Sequence, residues 1–142
     1  MDNIFTRNLK NKLIALIAAA AVFGVLYLIS QTVLNEVYLF EWTARNLYCY
    51  VWVAVAVLIV LDKLKAAYAV TTGNLLGVII GQYLGDFIKA QRVNLITPET
   101  TPDMAHELSM HYGAGIWAIT VIVCAAAGIT AQVIAGKRRK SA

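Results

Sequence analysis

The chain has 142 residues, of which 60% are hydrophobic and 14% are charged, and its mean hydropathy is +0.67. Soluble domains are about half apolar and about a quarter charged, and small ones bury only about two thirds of their unfolded surface, which excludes a soluble fold. The net charge of +4 does not indicate nucleic-acid binding, because residues 137–140 form one basic run directly after a hydrophobic segment. Such a run is typical of a topology signal, and it can also attract anionic lipid.

The first membrane span is predicted at residues 13–34. A helix of 22 residues would cross about 33 Å, close to the ~30 Å hydrocarbon core of a bilayer. The alternative is a cleavable signal peptide, which has an apolar region of about 7–15 residues and a small-residue cleavage site. Here the apolar stretch is longer and ends in Ser30-Gln31-Thr32, so we expect a retained helix.

The first outer loop is predicted at residues 35–44, and the second span at residues 45–61. The aromatic side chains of the loop fit the headgroup level, where a short helix can lie in the interface. The span is rich in β-branched residues, which favour a strand in water. In lipid a single strand leaves its backbone polar groups unpaired, so we expect a helix.

A connection of four residues, 62–65, predicts a tight antiparallel hairpin between the second span and a third span at residues 66–88. The third span has a glycine at every fourth position, which creates a groove without side chains that another helix can approach closely. This glycine zipper predicts a close helix contact, either within the chain or between protomers. The glycines are Gly73, Gly77, Gly81 and Gly85.

A polar stripe follows one position behind the glycines and consists of Asn74, Gln82 and Asp86. Unpaired polar groups are costly in hydrocarbon, so we expect the stripe to face protein or water. One interpretation is hydrogen bonding between helices, and the other is the lining of a small polar pathway or pocket.

The second outer loop is predicted at residues 89–111, with a short helix near its end capped by Asp103 or Thr101. If the helix continues, Glu107 and His111 share one face and Asp103 lies one turn earlier, so the three could hold a divalent metal. The alternative is a solvated amphipathic helix that binds nothing. We predict no cofactor, and the sequence has no catalytic motif and no cysteine spacing that indicates a disulfide.

The fourth span is predicted at residues 112–136 and is followed by a basic tail at 137–142. The N-terminal segment, the second connection and the tail are net positive, whereas both outer loops are net negative. Because positive segments stay in the cytoplasm, both termini are predicted to be cytoplasmic. The localisation expected from these features is an integral protein of the bacterial cytoplasmic membrane.

The predicted fold is therefore all-α, an antiparallel bundle of four transmembrane helices. Four short helices enclose little interior, so the chain is expected to form a homo-oligomer or to dock on a partner membrane protein. The predicted function is a channel or transporter for a small solute or ion. The alternative is a non-catalytic subunit or assembly factor of a larger membrane complex that docks through the glycine face of the third helix.

Overall fold

The computed structural model describes the backbone of residues 2–140 and the side chains of residues 8–137. All regular structure in this part of the chain is helical: α1 Asp2–Thr32, α2 Tyr38–Asn46, α3 Tyr48–Val60, α4 Leu64–Val93, α5 Pro102–Leu108 and α6 Gly113–Lys140. Three stretches are long and apolar enough to cross a membrane, or four if the bent pair α2–α3 is one span. The prediction of an all-helical membrane protein is confirmed in this form. Of the predicted basic tail, only Lys137 lies among the described side chains.

The two ends of the molecule are marked by different polar contacts. At one end Lys12 Nζ donates to the Val60 carbonyl at 2.9 Å and pairs with Asp62 at 2.8 Å, which ties the first turns of the α1 span to the end of α3. We call this the lysine end. The opposite end holds the last turn of α1, the helices α2 and α5, and the start of α6 beside His111. We call it the histidine end.

The helices follow one another as a row. α4 packs on α6 with one face and on α2 and α3 with another, and α2 and α3 pack on α1. Within residues 2–140, α6 makes no comparable contact with α1 or α3. A closed four-helix bundle would also require α1 to contact α6. The outward face of α6 therefore carries exposed apolar side chains, which include Ile119, Ile122, Val123, Ile129 and Val133.

The second span differs from the prediction of one helix over residues 45–61. The chain bends by 60° at Leu47, between α2 and α3. Just before the bend, the Thr43 and Asn46 side chains each donate to the carbonyl four residues earlier, at 2.6 and 2.8 Å. Side-chain bonds of this kind compete with the backbone ladder and favour bending. The 13 residues of α3 cover about 20 Å, less than the ~30 Å hydrocarbon core, so a crossing needs α2 as well.

The predicted first outer loop, residues 35–44, is largely the helix α2. Its Leu39, Phe40, Thr43 and Ala44 are buried, and it packs on α1 and α4. α2 therefore forms part of the core, because its hydrophobic face is covered by protein. The other predicted spans extend further as helices, most clearly α4, which continues to Val93 through the start of the predicted second loop.

Candidate functional site

The glycine face of α4 is covered by α6 of the same chain. Gly73, Gly77, Gly81 and Gly85 are all buried. A Cβ atom added at Gly81 would lie 2.6 Å from the Gly113 carbonyl oxygen, and one added at Gly113 would lie 2.7 Å from the Gly81 oxygen. The two backbones are therefore in direct contact, and this distance is possible only without side chains.

Asn74, the first residue of the polar stripe, bonds across this helix contact. It is 1% exposed, and its Oδ1 accepts a hydrogen bond from Trp117 Nε1 of α6 at 3.0 Å. The bond pairs a buried amide with the single polar atom of a buried indole. In the structure Asn74 therefore serves a contact between helices.

We expect Trp117→Phe to lower the free energy of unfolding by about 1–3 kcal/mol, because it leaves the buried Asn74 oxygen without a donor. Unfolding in mixed micelles, followed by circular dichroism, measures this loss. The double variant with Asn74→Leu should lose less than the sum of the two single variants, because both changes remove the same bond. Strictly additive losses would contradict the pairing.

Gln82, the second residue of the stripe, caps a different helix. The residue before α2 is Val37, which has no side-chain oxygen, so the first N–H groups of α2 lack a local cap. Gln82 Oε1 accepts from the Leu39 N–H at 2.7 Å, and both residues are buried. A glutamine in the middle of the chain thus supplies the cap that the local sequence does not.

Gln82 also begins a chain of hydrogen bonds that reaches α6. Its Nε2 donates to Asp86 Oδ2 at 2.7 Å, and Asp86 Oδ1 lies 3.1 Å from His111 Nε2. The Gly113 N–H donates to His111 Nδ1 at 3.1 Å, so Nδ1 acts as acceptor and the ring proton lies on Nε2, directed at Asp86. We call these three side chains the Gln82–Asp86–His111 network. It joins the first turns of α2 and α6 through α4.

The network lies partly open to its surroundings. The His111 side chain is only 7% exposed and the Tyr38 ring lies against it, with 4.7 Å between ring centroids. The Asp86 side chain is 57% exposed. The network thus combines a shielded imidazole with a carboxylate that is reachable from outside.

The predicted metal ligands Asp103, Glu107 and His111 are not brought together. α5 ends at Leu108, so His111 is outside the helix that would have aligned it with Glu107, and its ring bonds Asp86. The short helix itself begins after Thr101, whose side chain accepts from the Met104 N–H. Among the described residues, no group of three His, Cys, Asp or Glu side chains is placed to hold a metal.

At the lysine end a second glutamine caps a helix in the same way. Gln132 of α6 accepts from the Lys65 N–H at 3.1 Å and donates to the Asp62 carbonyl at 3.3 Å, and the residue before α4, Lys63, gives no side-chain cap. Sequence reasoning missed this contact. A lone glutamine in an otherwise apolar helix end was the available signal, since it needs a polar partner.

Comparisons with known protein families, with curated proteins and with solved structures found no match to this chain.

Proposed function

We propose that the protein is a channel or transporter for a small solute or ion that works as an oligomer in the bacterial cytoplasmic membrane. In this proposal four spans cross the bilayer, with α2 and α3 together as the second span and both termini in the cytoplasm. The lysine end is then cytoplasmic, in line with the excess of basic residues there. The histidine end, with α5 and the negative loops, faces outward.

The observation that supports transport is the broken second span, whose first part, α2, is capped at its start by Gln82 of the polar network. Helix breaks at membrane depth are tolerated where they are buried in protein or line a water-filled cavity, and transporters use such half-helices at their binding sites. Leu47 lies about 20 Å from the lysine end, because α3 has 13 residues. In this proposal the break lies within the hydrocarbon core, on the cytoplasmic side of the Gln82–Asp86–His111 network.

Charged groups next to the break give a second line of support. Glu41 and Arg45 form an ion pair on α2, six and two residues before Leu47, and their side chains are 26% and 72% exposed. Exposed charges at this depth are expensive in contact with lipid. In an oligomer the same side chains face water or a neighbouring protomer, which is the environment that a central pathway would provide.

Flux through proteoliposomes tests the proposal. An entrapped pH-sensitive dye reports proton and proton-coupled movement, and light scattering after an osmotic step reports small neutral solutes. We expect Asp86→Asn to lower the flux about tenfold, which corresponds to about 1.4 kcal/mol in the barrier, because the amide cannot ionise beside His111. Glu99→Gln, which removes an exposed acid from the loop between α4 and α5, is the matched control and should leave flux unchanged.

Equal flux in Asp86→Asn and in the unmodified protein would remove the network from the pathway. Flux that never exceeds that of protein-free liposomes with either readout would overturn the transport proposal as a whole.

The alternative function, a subunit that docks through the glycine face of α4, has a structural cost. That face is covered by α6, so a partner helix would have to displace α6 and break the bond between Asn74 and Trp117. The mass of the complex purified in mild detergent separates the two functions. A multiple of the chain mass supports the oligomer, whereas a stoichiometric foreign chain supports the subunit.

A further inference from the structure

A cleft outside the network lies between α4 and α6 at the histidine end. Its volume is about 310 Å³, and it is lined by Ile88, Arg92, Tyr112, Gly115, Ile116 and Ile119. A Cβ atom added at Gly115 would meet no atom within 4 Å, so this glycine forms an open floor. Unlike the glycines of α4, it is not needed for a contact between helices.

The cleft is polar at its mouth and apolar along its length. Tyr112 and Arg92 lie at the mouth, and Ile119 lies seven residues further along α6, or about 10 Å deeper along the helix axis. One leaflet of the hydrocarbon core is about 15 Å thick, so the apolar part lies within a single leaflet. This division matches an amphiphile with its headgroup at the membrane surface.

Arg92 is held in place at the mouth but is not fully paired. Its Nη1 donates to the Tyr112 hydroxyl at 2.6 Å, and its guanidinium carbon lies 4.9 Å from the centre of the Tyr112 ring. Its Nη2 donates to the Glu107 carbonyl oxygen at 3.4 Å. The Glu107 carboxylate is 3.6 Å from the same Nη2 and is itself 71% exposed, so the ion pair is weak. Arg92 Nε has no acceptor among the described residues, although it is shielded from solvent.

A phosphate group is the ligand that suits these properties. Its oxygens accept hydrogen bonds in pairs from a planar guanidinium, and the Arg92 side chain is 29% exposed at the mouth. We therefore propose that an anionic phospholipid binds this cleft, with its phosphate at Arg92 and Tyr112 and one acyl chain along Gly115 between the isoleucines.

The proposal depends on the membrane location of the chain and not on transport, so it can fail or succeed separately. Native mass spectrometry of the purified full chain in detergent tests it, with phosphatidylglycerol titrated as the probe. Phosphatidylcholine and inorganic phosphate form the comparison arms. We expect phosphatidylglycerol to bind at least tenfold more tightly than phosphatidylcholine, and inorganic phosphate to leave no retained adduct.

Two variants address the two halves of the site. Arg92→Gln should weaken phosphatidylglycerol binding at least tenfold, and Gly115→Leu should do the same by filling the path of the acyl chain. Gly115→Leu points into open space, so it should keep the fold even if Arg92→Gln does not. Arg45→Gln is the matched control, because Arg45 is also paired with a glutamate and does not line the cleft. This variant should bind phosphatidylglycerol as tightly as the unmodified protein does.

Equal binding in Arg92→Gln and Arg45→Gln would overturn the phosphate contact, and unchanged binding in Gly115→Leu would overturn the acyl path. A dimer of the chain that Gly115→Leu dissociates, with no lipid retained, would assign the cleft to a second copy and overturn the proposal.

Discussion

Gly81→Ala is expected to lower the free energy of unfolding by about 1–3 kcal/mol, the usual cost of inserting a methyl group into a filled contact. The new Cβ would lie 2.6 Å from the Gly113 carbonyl oxygen and 3.3 Å from the Trp117 nitrogen. Both atoms are backbone, so they can move only if α6 moves away from α4. Alanine has a higher helix propensity than glycine, which partly offsets the cost of the close contact. The expected loss is the net effect of the two.

The matched control is Gly24→Ala on α1, where an added Cβ meets no atom within 4 Å. It should change the unfolding free energy by less than about 0.5 kcal/mol, or stabilise slightly. Both variants are compared by unfolding in mixed micelles with circular dichroism as the signal. Similar values for Gly81→Ala and Gly24→Ala would show that α4 and α6 are not in direct backbone contact in solution.

Gln82→Leu is the second change with a large expected effect, also about 1–3 kcal/mol. It leaves the Leu39 N–H, which is fully buried, without an acceptor, and it removes the donor that holds Asp86. The loss should be concentrated in α2, because the missing bond caps that helix. Hydrogen exchange measured by mass spectrometry should therefore show that Gln82→Leu raises the exchange rate more in residues 38–46 than in α4 or α6, each compared with the unmodified protein.

Two further variants separate the cap from general disturbance. Gln91→Leu changes an exposed glutamine on the same helix and should leave both stability and exchange unchanged. Gln82→Glu retains the acceptor for Leu39 but places a carboxylate beside Asp86, so it should protect α2 better than Gln82→Leu at low pH, where carboxylates are neutral. If Gln82→Leu left exchange in α2 unchanged, the capping role would be wrong.

Composition and apolar run length were enough to predict an all-helical membrane protein, because both depend on each residue and its near neighbours. The four-residue glycine period also gave a testable expectation of a close contact, and α6 occupies that face of α4 in the structure. Periodicity identifies a face of a helix. It contains no information on which other helix covers that face.

The two glutamine caps were not predicted, for a related physical reason. Gln82 and Leu39 are 43 residues apart, and Lys65 and Gln132 are 67 apart, so each cap forms only when separate helices meet. The expected metal site at His111 shows the same limit of reasoning from spacing along one helix. Spacing along one helix suggested a metal site with Glu107, whereas its actual partner, Asp86, lies on another helix.

The position of α6 at the edge of the row has a consequence for how the protein is made. α4 leaves the ribosome before α6 does, so for a time its glycine face and the Asn74 amide enter the membrane without the partner that later covers them. Trp117, which bonds Asn74, belongs to α6, which follows α4 and α5 in the chain. The packing of α4 is therefore completed only after α6 has been made, and until then the Asn74 amide has no Trp117 partner.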